Sequence, residues 1–216
     1  MENIENWVDQ VYAAGGDREQ LNRLYDEWAA EYEQHKWASG NPVVAVSAGL
    51  IGRRVPNFDA RILDAGCGAG NLGLVLHQIG YENLEALDPS AGMLEVARRK
   101  SIYRDLHKNF LEPDIDLPAE NFDLVAATGV FTEGHAPPSA LDGMLKLARP
   151  GGVILFSLTD QAANDLGFAD RIAELNSSGT WQQLECTEPF SPLPFYENKA
   201  HVRLRVYVFR KTATDV

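Results

Sequence analysis

The chain has 216 residues with 45% hydrophobic and 23% charged side chains, which fits one α/β domain and excludes extensive disorder. Its formal net charge of -12 sets a surface that repels phosphate backbones and anionic headgroups, so nucleic acid and membrane surfaces are disfavoured partners. No apolar stretch approaches the ~20 residues of a bilayer span, the N-terminus lacks a signal-peptide pattern, and Cys67 and Cys186 stand in no metal or redox spacing. These features lead to the expectation of a cytoplasmic protein without a metal centre.

From Ile4 to Lys36, apolar and aromatic residues recur at helical intervals (Trp7, Val8, Val11, then Leu21, Leu24, Trp28, Tyr32), broken at Gly15-Gly16. Asp17 is placed to cap the second helix, with Gln20 at the capping-box position. A third helix is expected over 43–55, between Pro42 and Pro56. Residues 1–56 thus read as a helical lid on a core of 57–216, the whole chain 1–216 forming one domain.

After Pro56, short apolar runs alternate with helical segments, as in a mostly parallel sheet covered on both faces. Strands are expected at 61–65, 84–87, 106–110, 122–127 and 153–158, with helices at 71–79, 91–100 and 139–148. Arg149-Pro150-Gly151-Gly152 stops the last of these helices. A helix at 166–176 and two strands, 181–186 and 202–209, close the chain around a connection holding Pro189, Pro192 and Pro194.

The chemistry is concentrated in Ile62-Leu63-Asp64-Ala65-Gly66-Cys67-Gly68-Ala69-Gly70, a carboxylate at a strand end followed by three glycines turning into a helix. Glycine lets a ligand approach the backbone more closely than a Cβ allows. The spacing is G-x-G-x-G rather than the dinucleotide G-x-G-x-x-G, because Asn71 holds the sixth position. Asp64 is an awkward neighbour for a pyrophosphate and suits a ligand bearing an ammonium and a sulfonium. Asp88, ending the next strand, is placed to accept from two ribose hydroxyls, which NAD and S-adenosylmethionine share.

In order and spacing, ILDAGCGAG, LEALDPSAGML, FDLVAATGVF and LARPGGVILFS resemble the motifs of class I S-adenosylmethionine-dependent methyltransferases, over residues 60–158. YDEWAAEYEQH, FTEGHAPPSAL and RLRVYVFRK resemble more narrowly the small-molecule subgroup with the Williams-Beuren-region methyltransferase-like proteins. The resemblance implies a Rossmann-like, doubly wound, three-layer α/β/α fold with seven strands and the last one antiparallel. It implies S-adenosylmethionine at Asp64, Gly66, Gly68 and Gly70, ribose at Asp88, adenosine beside Pro89 and Met93, and the methionine moiety at Thr128 and Gly129. Tyr25, Trp28 and Tyr32 are the implied lid, though one helical face holds all three and ordinary packing also explains them. Where many family members carry an adenine-binding Asp, this chain has Asn109 followed by Phe110.

His135 is the candidate general base, with Glu133 beside it; a plain turn into a helix also accounts for GHAPPSAL. Arg98-Arg99-Lys100 reads as a solvated helix end. The aromatic residues Phe190, Phe195 and Tyr196 suggest a partly apolar small-molecule acceptor. The expected activity is methyl transfer, with a non-catalytic cofactor-binding protein and an NAD(P)-dependent oxidoreductase as the alternatives.

Overall fold

The computed structural model describes residues 7, 9–11, 13–196, 199 and 201–213. Ile4 and Val8 of the expected first helix lie outside them; within it, residues 7, 9–11 and 13 are helical. Seven helices follow: α1 (Arg18–Ala38), α2 (Val43–Arg54), α3 (Asn71–Gln78), α4 (Ala91–Arg99), α5 (Ala140–Leu147), α6 (Asp160–Asp165) and α7 (Phe168–Ser177). The strands are β1 (Ile62–Ala65), β2 (Leu84–Asp88), β3 (Asp105–Lys108), β4 (Phe122–Phe131), β5 (Ala148–Thr159), β6 (Trp181–Cys186) and β7 (Leu204–Lys211).

They form one sheet in the order β3-β2-β1-β4-β5-β7-β6, as the expected doubly wound topology requires. The first five strands pair in parallel, and β7 runs antiparallel to β5 and β6. The strand alternation of period two divides the core. Leu63, Ala65, Val125 and Ile154 pack toward α5 and α7, whereas Ile62, Leu124, Ala126 and Val153 pack toward α2 and α3. With helices on both faces, β1 and β2 are buried at every position, which is why apolar residues dominate them; the buried Glu85 is paired by Arg61 and His107. Strand order reverses between β1 and β4, so the carboxyl ends of β1, β2 and β4 surround the crevice where such sheets bind ligands.

Several boundaries differ from the sequence expectation. Strand β4 continues to Phe131 through a register shift after Ala127, with Gly129 at φ +73°, so Thr128 and Gly129 lie inside an irregular strand end rather than beyond it. Strand β3 stops at Lys108, and Asn109 Oδ1 accepts from the Phe110 amide at 2.9 Å, a local bond that competes with continued strand pairing. Helix α6, capped by Thr159 Oγ1 accepting from the Ala162 amide, has no counterpart in the expected elements; Gly167 at φ +83° separates it from α7. Strand β7 begins at Leu204, where an isolated bridge to Phe190 ties down the proline-rich connection.

Helix α1 is fastened over the crevice. Asp17 caps it, accepting from the Glu19 and Gln20 amides. Asp26 Oδ1 accepts from Ser90 Oγ (2.6 Å) and the Gly92 amide (2.8 Å), setting a carboxylate at the N-terminus of α4. A Cβ on Gly92 would lie 3.0 Å from the Asp26 backbone, so this residue lets the two helices meet. Farther along, Lys100 pairs with Glu33 at 2.7 Å and also donates to the Ala69 carbonyl. Lys100 is therefore a fastening of the lid, unlike Arg98 and Arg99, which pair with Glu95 on their own helix.

Candidate functional site

Beyond β1 the chain turns sharply through Gly66 (φ +73°) and Gly68 (φ +52°), conformations that side-chain-bearing residues rarely adopt. A Cβ on Gly66 would sit 2.3 Å from Val130 Cγ2, so a side chain there collides with the β4 end as well as straining the turn. Both glycines line a cavity of about 130 Å³. Gly70 lies behind them and starts α3, with its Cα covered by the Tyr103 ring rather than facing the cavity.

Asp64, 1% exposed, also lies behind this surface. Its Oδ2 accepts from Tyr103 Oη at 2.7 Å and from the Gly73 amide at 3.2 Å, while Oδ1 has no partner among the described residues. Burial pushes its pKa up to about 6; the Tyr103 and Gly73 hydrogen bonds oppose this and the nearby Asp88 charge adds to it.

Asp88, at the end of β2, does face the cavity. Its Oδ2 accepts from the Gly68 amide at 2.8 Å and Oδ1 from the Ser90 amide at 2.9 Å, which fixes the carboxylate and leaves acceptor capacity on each oxygen. Burial raises this group to about 6 as well, with the two amides opposing and Asp26 reinforcing the rise. Leu87, Pro89, Met93, Phe110 and Leu111 make an apolar slot beside it, and the Arg18 guanidinium lies 5.1 Å over the Phe110 ring while pairing with Glu112. Asn109 is not in the lining, and its amide oxygen is taken by the Phe110 amide.

A second cavity, of about 170 Å³, adjoins the first. Tyr25, Tyr32, Gly66, Thr128, Gly129 and His135 belong to both linings, so these six form the shared wall. Trp28 faces only the second cavity; it stacks on Tyr25 and donates from Nε1 to His35 Nδ1 at 2.7 Å. Of the proline-rich connection, Pro192 and Leu193 reach the second cavity, whereas Phe190 and Tyr196 do not line it and Phe195 is exposed against Gly40.

His135 stands on the shared wall with its tautomer set by its partners. Nδ1 lies 2.9 Å from the Glu133 carbonyl oxygen, which only accepts, so Nδ1 carries the hydrogen. Nε2 then accepts from the Tyr25 hydroxyl at 2.6 Å. Burial lowers its pKa below the ordinary histidine value, so the ring is neutral at pH 7. The Glu133 carboxylate accepts from Thr132 Oγ1 (2.9 Å) and lies 3.5 Å from Thr159 Oγ1, acting behind the cavity wall.

Sequence reasoning did not single out Arg18 and Leu111 in the first cavity, or Lys36, Trp37 and Asn41 in the second. One signal for Lys36 was present: Trp28, Tyr32 and Lys36 follow at i, i+4 and i+8, on one stripe of α1.

A family model described as a methyltransferase domain matches residues 18–198. The chain is 29% identical to human methyltransferase-like protein 27 over 184 residues, covering 81% of this chain and 74% of that protein. It is 32% identical to the malonyl-[acyl-carrier protein] O-methyltransferase of Enterobacter lignolyticus (strain SCF1), covering 69% of this chain and 57% of that one. Among solved structures, a TehB-like methyltransferase from Corynebacterium glutamicum superposes with a TM-score of 0.64 at 23% identity, over 88% of this chain and all of its own. Magnesium protoporphyrin IX methyltransferase from Synechocystis, solved with its methyl donor bound, gives 0.60 at 16% identity, over 81% of each chain. The chain belongs to the methyltransferase-domain family and is an S-adenosylmethionine-dependent methyltransferase.

The first cavity fits that cofactor on its own chemistry. Asp88 offers a fixed carboxylate to a ribose diol, the Met93 and Phe110 slot is apolar enough for a purine, and Gly66 and Gly68 bring the turn after β1 into the lining.

Proposed function

We propose that the chain methylates a small-molecule acceptor held in the second cavity, with the cofactor in the first. The observation that carries this reading is the shared wall of Tyr25, Tyr32, Gly66, Thr128, Gly129 and His135, across which donor and acceptor would meet. Bound S-adenosylmethionine supplies an electrophilic methyl group on a sulfonium. Transfer breaks the S–CH3 bond, forms a bond from methyl to the acceptor's nucleophile and leaves a neutral thioether.

On this reading the residues divide by task. Asp88 holds the ribose; Pro89, Met93, Phe110 and Leu111 hold the adenine; Gly66, Gly68, Thr128 and Gly129 admit the methionine part; Tyr25 and Tyr32 close over it. Asp64, Gly70 and Asn109 support the turn and the slot from behind, and Trp28 braces the acceptor side. Enclosure by α1 excludes water and aligns the reactants, the main requirement of an in-line displacement. His135 takes the acceptor's proton: the Tyr25 hydroxyl receives it while passing its own to Nε2, so the neutral imidazole ends protonated.

A small acceptor is supported by the size of the second cavity, and the net charge of -12 argues against nucleic acid. Among the described residues no helix is long and apolar enough to cross a membrane, and both cysteines are free. We take the chain to act as one domain in the cytoplasm. The test is calorimetric binding of S-adenosylhomocysteine, followed by tritiated-methyl transfer to a metabolite extract. Label recovered in a small-molecule fraction supports the reading; tight cofactor binding with label only in protein or RNA, or in nothing, overturns it.

A further inference from the structure

The second cavity carries an electrostatic feature that methyl transfer itself does not call for. Its lining holds one charged side chain, Lys36, and no carboxylate. The Lys36 ammonium lies 5.2 Å over the Tyr32 ring, and no carboxylate of the described residues pairs with it. The acids close by in sequence are engaged elsewhere or turned away: Glu33 pairs with Lys100, and Glu31 lies beside His35. Glu133 sits behind the wall, taking up the hydroxyl of Thr132. Among the described residues Arg104, Lys108, Lys146, Arg203 and Arg210 form no carboxylate pair either, and what sets Lys36 apart is its place in the lining of a cavity without a carboxylate.

The rest of the lining is mostly apolar, with Trp28, Val43, Val44 and Phe131 from the helices and the β4 end. Trp37, 68% exposed, also belongs to it and places the mouth of the cavity at the protein surface. One ammonium among apolar walls balances one negative charge and leaves nothing to neutralise a second. The Ser157 hydroxyl, which accepts from the Gly129 amide and keeps its own hydrogen, and the Asn41 NH2 can donate to an acid's oxygens.

We infer that the acceptor is a largely apolar monocarboxylic acid whose carboxylate is held by Lys36, whose hydrocarbon or aryl body lies against Trp28, Trp37 and Val44, and whose one hydroxyl faces the shared wall, where its oxygen takes the methyl as the S–CH3 bond breaks and its proton passes to His135. This rests on the second cavity being the acceptor site. Lys36 and Tyr32 then act as a specificity device: the ring face orients the ammonium, and the ammonium selects an anion over its neutral isostere.

The test uses the full chain saturated with S-adenosylhomocysteine, titrated calorimetrically with 3-phenylpropionate and, separately, with 3-phenylpropionamide. The expected result is at least about tenfold tighter binding of the carboxylate, falling to within about twofold of the amide in Lys36→Gln and partly kept in Lys36→Arg. Amide affinity and S-adenosylhomocysteine affinity stay unchanged in Lys36→Gln, which also shows that the variant is folded. Equal binding of the two probes by the wild type, or binding of neither, overturns the inference while leaving methyl transfer standing. A Lys36→Gln variant that keeps the carboxylate preference but loses S-adenosylhomocysteine affinity tenfold also overturns it, assigning the ammonium to the cofactor. Failure of the wild type to bind S-adenosylhomocysteine at all overturns both readings.

Discussion

The cavity at Asp88 takes its carboxylate and its glycine turn from two strand ends within residues 64–93 and is completed by α1 and the segment 128–137, whereas the cavity at Lys36 is assembled from seven stretches between Val11 and Leu204. In the first, backbone amides of Gly68 and Ser90 fix the functional carboxylate, so its geometry follows from how the chain leaves the sheet. In the second, side chains from α1, the start of α2, the ends of β4 and β5 and the proline-rich connection converge only after folding. The donor side's carboxylate and glycine turn are therefore local, whereas the acceptor side depends on segments that only the fold brings together.

The sharpest way to break this division is at Gly66, the backbone point common to both cavities. In Gly66→Val, a branched side chain at φ +73° adds strain of about 1–3 kcal/mol and meets Val130 where a Cβ alone already lies at 2.3 Å. S-adenosylhomocysteine affinity is expected to fall by about a hundredfold or more, measured by calorimetry on protein shown to be folded by circular dichroism. Affinity within about threefold of wild type would mean that the glycine turn does not hold the cofactor.

His135 tests the shared wall for chemistry rather than binding. His135→Asn is expected to lower kcat about a hundredfold, with S-adenosylhomocysteine affinity within twofold, because only proton removal is lost. Tyr25→Phe, which removes the relaying hydroxyl but opens Nε2 to take the proton directly, is expected to cost less, about tenfold. The neutral ring is the base, so kcat of the wild type rises with pH as His135 deprotonates. Since burial lowers its pKa, that rise lies at lower pH than it would for an exposed histidine. The limb disappears in His135→Asn; a limb that persists there assigns the proton transfer to another group.

The same division explains what could be read from the residues alone. Gly66, Gly68, Asp88, Pro89 and Met93 fall in two short motifs, and all five line the first cavity. The sheet was equally legible, because strands buried on both faces are dominated by apolar residues, with Asp64, Glu85 and Asp88 the charged exceptions in β1 and β2. Asn109 was harder, since whether its amide meets a ligand or its own neighbour's N–H depends on where β3 stops pairing. Helix α6 is six residues with a threonine cap, too short for a periodicity to show. Lys36 and Leu193 lie 157 positions apart and share a cavity through topology, which no local pattern encodes.

The smallest effect concerns the charge on which the donor cavity depends. Asp88 accepts from ribose hydroxyls as a carboxylate, and its pKa of about 6 means that the ionised form dominates at pH 7 and falls to about a tenth at pH 5. Proton uptake favours the free protein, because protonation relieves a buried charge and also converts one acceptor oxygen into a donor. S-adenosylhomocysteine affinity is therefore expected to be constant above pH 7 and to weaken about tenfold by pH 5. Asp64 also sits at about 6, so the two carboxylates must be separated. Asp88→Asn does this: its affinity starts lower and is flat with pH if Asp88 carries the effect. The same slope in Asp88→Asn would move the titration to Asp64, one layer behind the cavity surface, and would make the acid of the glycine motif the electrostatic partner of the cofactor.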